Sequence, residues 1–146
     1  MPTTMNEKAL EDLIVNWLTN HNQYELGDTN QYDTHYALDT GRLETFLMLT
    51  QPQEVEKSGI FHSPVSKRKF LERLRDEITK RGVVDVLRKG LKHQSNTFVL
   101  YNPLPSALSA DGQERYALNK FSVVRQLRYD AQNPALALDV AIFING

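Results

Sequence analysis

Hydrophobic positions at the start of the chain recur at helical spacing. They fall at i, i+3, i+4, i+7 and i+8, as Leu10, Leu13, Ile14, Trp17 and Leu18. This periodicity predicts an amphipathic helix over residues 6–20 whose apolar stripe is buried. Glu11 borders the stripe, because Ile14 and Val15 follow it by three and four residues. Its carboxylate is therefore expected either to face inward or to lie at a solvated rim.

The middle of the chain also has a helical pattern. Further helices are predicted over residues 40–50, 66–82 and 83–88. Leu43, Phe46 and Leu47 form the buried stripe of the first, and Gly82 is a natural terminator for the second. The intervening stretch, residues 53–64, is expected to be irregular.

After residue 90 the pattern changes to short β-rich runs. Strands are predicted over residues 97–101, 122–129 and 137–144, and a helix over residues 111–120. A loop containing Asn133 and Pro134 joins the last two strands. We expect an α/β fold, with helices toward the front of the chain and strands toward its back. The length of 146 residues suits a single domain spanning residues 1–146.

The last two residues, Asn145 and Gly146, follow the final predicted strand directly. Asn-Gly is a strong short-range signal for a two-residue hairpin turn, which sends the chain back along the strand it has just left. No returning strand follows. We therefore expect the chain to be the N-terminal part of a longer protein.

Composition excludes several classes of protein. Hydrophobic residues make up 40% and charged residues 24% of the chain, which is ordinary for a globular domain. The absence of cysteine excludes thiolate zinc sites, iron–sulfur clusters and cysteine nucleophiles. No apolar run reaches the roughly 18 residues that a membrane span needs. The start lacks a secretory signal pattern. We expect a cytoplasmic protein with no membrane partner.

Charge is unevenly distributed along the chain. Residues 1–66 hold three basic and ten acidic side chains, residues 67–92 hold ten basic and four acidic, and residues 93–146 hold four of each. A basic block can form a phosphate-binding face. It can equally form an ion-paired, solvated helix face, because Arg73 precedes Glu77 and Glu77 precedes Arg81 by four residues. Both interpretations stay open.

Asp139 is the single charge on one face of the last predicted strand. Alternation places on the opposite face, which we expect to be core, Leu138, Val140, Ile142 and Ile144. The small neighbours Ala137 and Ala141 leave room beside the carboxylate for a hydrated cation. Asp139 is therefore either a cation ligand or an acidic residue at the mouth of a strand that accepts backbone hydrogen bonds.

Several runs share their order and spacing with a known family. They are Glu7-Lys-Ala-Leu-Glu11, Tyr32-Asp33, Val83-Val-Asp-Val-Leu-Arg88, Arg115-Tyr-Ala-Leu-Asn119, Val124-Arg-Gln-Leu-Arg-Tyr129 and Ala137-Leu-Asp-Val-Ala-Ile-Phe-Ile-Asn-Gly146. Together they resemble the N-terminal endonuclease domain of the R (restriction) subunit of type I restriction–modification enzymes. That domain has the PD-(D/E)xK nuclease fold, and the likeness spans most of the chain.

The resemblance implies a restriction-endonuclease-like sheet that is truncated after the first strand of the catalytic hairpin. It places Asp139 at the catalytic, Mg²⁺-binding aspartate and Glu11 at a helix glutamate that assists metal binding. In the family the next strand brings a Glu-x-Lys, whose lysine helps to orient or deprotonate the attacking water. No Glu-x-Lys occurs here. The parent is expected to be a type I site-specific deoxyribonuclease, and this polypeptide alone is expected to be inactive.

The resemblance also implies partners. They would be double-stranded DNA and the methylation and specificity subunits of the restriction complex, in a prokaryotic cytoplasm. No phosphate-binding loop G-x-x-x-x-G-K-[ST] is present, so the ATP site of the motor would lie downstream. DNA backbone contacts would come from the basic block, with Lys67, Arg68, Lys69 and Arg73 as the candidates. The alternative is a non-enzymatic module for DNA binding or subunit docking.

Overall fold

The structure is a computed structural model that describes residues 2–103, 110–127, 132 and 138–146. Helices and a small mixed sheet confirm the α/β class predicted from the sequence. The chain divides into two compact units, one of residues 1–41, 120–144 and 146, and one of residues 42–119 and 145. Of the helices within the described ranges, none is long and apolar enough to cross a membrane.

The first unit is built on a three-stranded sheet in the order β1-β4-β5. The strands are β1 (Glu25–Leu26), β4 (Phe121–Leu127) and β5 (Leu138–Ile144). β1 runs parallel to β4, and β4 runs antiparallel to β5. The last two predicted strands are confirmed where the chain is described, whereas Asn133 and Pro134 of their connecting loop lie outside the described residues. β1 was not predicted, since two residues are too few for an alternating pattern to be recognised.

β4 is the central strand of this sheet and carries most of its core. Val123, Val124 and Leu127 are buried, and successive side chains of a strand point to opposite faces, so β4 is covered on both faces. Phe121 pairs with Ile144 at one end of the ladder and Leu127 with Leu138 at the other. This register places β4 and β5 side by side over their whole described length.

The first helix, α1 (Pro2–His21), packs against β4 and β5. The helix itself is confirmed, but its predicted orientation is wrong. The exposed fractions of Leu10, Leu13 and Trp17 are 58%, 65% and 59%, whereas that of Val15 is 5%. The side of α1 that meets the sheet carries Val15 and Glu11. The predicted apolar stripe is turned away because Glu11 and its neighbour form ion pairs with a β4 side chain, as shown below.

The predicted core face of β5 is also corrected by the structure. Leu138 is 48% exposed and Ile142 is 52% exposed. Alternation correctly shows which side chains share a face of a strand, but burial of that face needs a second layer of structure above it. The described residues of this unit leave these two side chains uncovered.

The segment between β1 and the second unit is fixed to the sheet by an aromatic contact. A short 3₁₀ turn, Thr29–Gln31, is capped by Asp28, whose side chain accepts a hydrogen bond from Asn30 N. Tyr32 follows, and its ring lies 5.8 Å from that of Phe143 on β5. Burial, and then the charge of Asp33, raise the pKa of Tyr32. The ring contact between Tyr32 and Phe143 holds this segment against β5.

The second unit is mainly helical. Its elements are α2 (Thr40–Thr50, from Arg42 on), α3 (Pro52–Ser58), α4 (Pro64–Arg81), α5 (Val83–Lys89), β2 (Leu91–His93), β3 (Asn96–Phe98) and α6 (Ala110–Ala117). Its core contains Phe46, Leu47, Ile60, Phe70, Leu74, Leu91 and Phe98. The ring of Phe70 lies 5.3 Å from that of Phe98 and 5.6 Å from that of His93. These contacts join α4 to the β2–β3 hairpin.

Most of the helices of this unit were predicted, but α3 was missed and α4 begins earlier than expected. The stretch expected to be irregular contains α3, because Pro52 lies in its first turn, where the missing N–H of proline costs nothing. α4 begins before Ser66, since Ser63 is its N-cap and accepts a hydrogen bond from Ser66 N. The hairpin strand β2 was missed, and β3 is shorter than the predicted strand.

The Asn-Gly pair at the end of the described chain has the backbone that the predicted turn requires. Asn145 has a φ of 59° and Gly146 a φ of 85°, both positive as in a type I′ turn. Asn145 has a second role that the pattern did not reveal. Its buried side-chain amide donates to the carbonyl of Leu100 at 2.9 Å and to Asn119 Oδ1 at 3.1 Å.

Candidate functional site

Two adjacent acidic residues of α1 face the sheet of the first unit. The side chain of Glu11 is 13% exposed and that of Asp12 is 44% exposed. They lie near the sheet because Val15, one turn later on the helix, is buried. The inward-facing position was one of the two predicted for Glu11.

Arg125 of β4 pairs with both of these carboxylates. Its Nε lies 2.8 Å from Glu11 Oε1, and its terminal nitrogen bonds to Asp12. The hydrogen bond to Glu11, and then that to Asp12, raise the pKa of Arg125. This ion-paired group joins α1 to the central strand and fixes the side of the helix that faces the sheet.

Gln126, the next residue on β4, connects Glu11 to Asp139. Its Nε2 donates to Glu11 Oε2 at 3.2 Å and to Asp139 Oδ1 at 3.3 Å. Asp139 lies on β5 and is exposed. The two carboxylates singled out in the sequence, 128 positions apart, therefore meet around one amide group.

Glu11 and Asp139 offer carboxylate oxygens, which are hard donors. Mg²⁺ prefers such oxygens, and proteins commonly hold it through one or two carboxylates while it retains several waters. Among the residues that the structure describes, no group of three His, Cys, Asp or Glu side chains is arranged to hold a metal ion. The two carboxylates that Gln126 connects, Asp139 and Glu11, are the candidate oxygen donors in this part of the structure.

Glu11 and Asp139 differ in how many of their carboxylate oxygens already accept hydrogen bonds. Both oxygens of Glu11 accept hydrogen bonds, one from Arg125 and one from Gln126. Asp139 accepts through Oδ1, and its Oδ2 makes no hydrogen bond within the described part of the chain. Asp139 is thus the more available oxygen donor, whereas the Glu11 oxygens are already held by Arg125 and Gln126.

The basic candidates lie in the second unit, on α4. Lys67 is paired with Glu44 at 2.9 Å, and Arg73 with Glu77 at 2.7 Å. Arg68 and Lys69 are exposed and make no ion pair with any described residue. Only two of the four predicted DNA contacts, Arg68 and Lys69, therefore present an uncommitted charge.

The rest of the basic block forms an ion-paired network. Glu77 is buried and accepts from Arg73 and from Arg81, whose Nε also pairs with Asp85 at 2.7 Å. Hydrogen bonds from Arg81, and then from Lys89, lower the pKa of Asp85. The two i, i+4 pairs predicted around Glu77 are confirmed. This part of the block serves to hold α4 and α5 together.

Sequence reasoning missed the residues that connect the site. Asp12, Arg125 and Gln126 were not among the candidates, although Arg125 and Gln126 lie in one of the runs that carry the resemblance. An available signal was a guanidinium and an amide at adjacent positions of an otherwise apolar strand. Such polar side chains need partners when a strand is covered on both faces.

Comparisons with known proteins found no similarity that identifies the chain. No protein-family model matches it, no curated protein matches, and no solved structure matches. The sequence resemblance and the side-chain geometry are therefore the basis for the function proposed below.

Proposed function

We propose that this chain is the N-terminal part of the nuclease domain of a type I restriction R subunit. In the intact protein the domain would cleave DNA phosphodiesters with Mg²⁺. The observation that carries the proposal is the meeting of Glu11 and Asp139 around the amide of Gln126. The resemblance requires these two carboxylates to share one site, and they come from opposite ends of the chain.

In this proposal Asp139 is the principal ligand of Mg²⁺, and Glu11 assists. The bound cation would polarise the scissile phosphate and lower the pKa of a bound water. Asp139 supplies an exposed oxygen to that position, and Gln126 fixes the direction of its carboxylate. A Glu-x-Lys on a returning strand would supply the remaining groups, so the residues up to Gly146 alone are proposed to be inactive.

The proposed partners follow from the same assignment. Double-stranded DNA would be attracted by the uncommitted charges of Arg68 and Lys69, which contact the backbone without reading sequence. The ATP-driven motor and the methylation and specificity subunits belong to the intact complex, in a prokaryotic cytoplasm. Backbone binding of this kind suits an enzyme that cleaves away from its recognition site.

The first test is the reading frame that encodes the chain. It should continue past Gly146 into a strand that contains Glu-x-Lys, and further on into a phosphate-binding loop. A stop codon directly after Gly146 would contradict the proposal.

The second test is DNA cleavage by the full-length protein, assembled with its partner subunits, with ATP and Mg²⁺. Asp139→Asn should lower cleavage about 100-fold or more while ATP hydrolysis continues, because the change removes a metal ligand from the nuclease site alone. Asp111→Asn, the same chemical change at an exposed position of α6, is the matched control. Equal cleavage by the two variants would exclude the nuclease assignment.

A further inference from the structure

Gln126 has an unusual backbone for its place in the sheet. Its φ is 50°, in the left-handed region, within a strand that is otherwise extended. A residue with a Cβ pays conformational energy there that glycine would avoid. Strained positions of this kind persist where the surrounding structure over-determines them, and they cluster at functional sites.

The sheet register explains where the strained residue points. Arg125 pairs with Val140 and Leu127 pairs with Leu138, so Gln126 lies across from Asp139 between two regular pairs. From this position its amide nitrogen reaches both Asp139 Oδ1 and Glu11 Oε2. A primary amide has two N–H groups and can donate one to each carboxylate.

The two hydrogen bonds are long, at 3.2 and 3.3 Å. Their effect is mainly directional, since they hold one oxygen of each carboxylate against the amide and thereby fix where the second oxygen of Asp139 points. The amide brings no net charge, so it offsets the repulsion between the two carboxylates without competing electrostatically with a cation. Arg125 differs, because it neutralises Glu11 and Asp12 with a full positive charge.

We infer that Gln126 is a positioning residue, which ties Asp139 Oδ1 to Glu11 and so leaves Asp139 Oδ2 directed away from the amide, where it can bind one divalent cation. This inference rests on the proposed function, and it adds that the geometry of the metal site is set on β4, by a side chain that is not itself an acid. Substitutions of such supporting residues typically weaken metal binding about 10-fold to 100-fold.

Glycine is the informative substitution at this position. Gln126→Gly removes the amide and also relieves the positive φ, so the folded state should be kept. Gln126→Asn keeps an amide and a residue that tolerates positive φ, but its side chain is one methylene shorter and cannot reach both carboxylates. Comparing the two variants separates loss of the amide from disturbance of the strand.

The experiment is a titration with Mn²⁺, followed by electron paramagnetic resonance of the free ion and by line broadening of backbone amide signals in nuclear magnetic resonance. The unchanged chain should bind one ion and broaden signals around Asp139 and Glu11. Gln126→Gly and Gln126→Asn should bind about 10-fold more weakly with an unchanged melting temperature. Asp139→Asn should abolish the localised broadening.

The outcomes distinguish the inference from the function on which it rests. If the unchanged chain binds Mn²⁺ at Asp139 and both Gln126 variants bind equally well, Gln126 is not a positioning residue although the metal site stands. If the unchanged chain shows no localised binding, the metal site fails, and the role of Gln126 fails with it. A variant that loses stability and keeps its affinity for Mn²⁺ identifies a purely structural residue and also overturns the inference.

Discussion

Arg125 and Gln126 are adjacent on β4 and make different kinds of contact with the acidic side chains around them. Arg125 binds the acidic pair of α1 with a full positive charge, whereas Gln126 donates hydrogen bonds to Glu11 and Asp139 from an uncharged amide. A half-buried carboxylate such as Glu11 needs such partners, because an uncompensated charge away from water is costly. The same contacts that stabilise the first unit therefore hold the candidate ligands in place.

The surroundings of His93 lower its pKa, and this affects how the stability of the protein depends on pH. His93 lies on β2 against the ring of Phe70. Burial, and then the positive charge of Arg73, lower the pKa of His93 in the folded state. The unfolded chain therefore takes up a proton more readily than the folded chain as the pH falls below about 6.5, where histidine ordinarily titrates.

This difference predicts how stability depends on pH. Between about pH 7.5 and 5.5 the melting temperature should fall, because protons bind preferentially to the unfolded state. His93→Gln should flatten the curve over this range. His62→Gln, the same chemical change at an exposed histidine, is the control for the substitution itself. Thermal unfolding followed by circular dichroism checks this, and parallel curves for His93→Gln and the unchanged chain would contradict it.

At the scale of elements, α1 shows that the local sequence determines where a helix forms, whereas contacts with distant residues determine which of its faces is buried. Helical periodicity is a local property, and it correctly predicted the helix. The face that packs was decided by Arg125, which is 114 positions away from Glu11 in the chain. Four large apolar side chains are left exposed as a result, namely Leu10, Leu13, Ile14 and Trp17.

The orientation of α1 predicts an asymmetry between two neighbouring substitutions. Leu13→Gln should change the free energy of unfolding by less than about 0.5 kcal/mol, because the side chain is already exposed. Val15→Ala should cost roughly 1.5–3 kcal/mol, since it removes two buried methyl groups and leaves a cavity. Urea denaturation measures both changes. A loss at Leu13 as large as the loss at Val15 would show that the predicted apolar stripe is the packed face.

For the whole molecule, the two compact units carry opposite net charge. The first holds nine acidic and four basic side chains, a net of −5, and the second holds nine acidic and thirteen basic, a net of +4. The overall charge of −1 conceals this separation. If the proposed function is right, DNA phosphates are expected to be attracted to the second unit and a divalent cation to the first.

The charge separation predicts a specific dependence of DNA binding on salt. Changing Arg68 and Lys69 together to glutamine should weaken binding to duplex DNA of any sequence and lower the slope of log affinity against log salt by about 1.8, for two phosphate contacts. Lys8→Gln with Lys57→Gln, the same change in net charge, is the control. Fluorescence anisotropy over a range of salt concentrations measures both slopes. Equal slopes in the two double variants would remove the DNA role of α4.

A residue of the candidate site could be predicted where its neighbours in the sequence mark it, and not where only a contact with a distant segment does. Asp139 was recognisable as a lone charge between alanines on an apolar strand, and Glu11 as an acid beside an apolar stripe. Their proximity followed only from the family resemblance. Arg125 and Gln126 were missed because their partner Glu11 lies on a helix from the other end of the chain. No local sequence pattern reveals a contact over that distance.

By itself, the sequence determined most of the regular elements, among them α2, α4, α5, β4 and β5, because periodicity, caps and turn residues act within a few positions of one another. It also determined which side chains share a face. Only the tertiary structure decided which face of α1 is buried, that the predicted core face of β5 is half exposed, and that one strained glutamine joins two distant carboxylates. These are consequences of pairing between distant segments, whose free energy depends on the partner that each side chain meets.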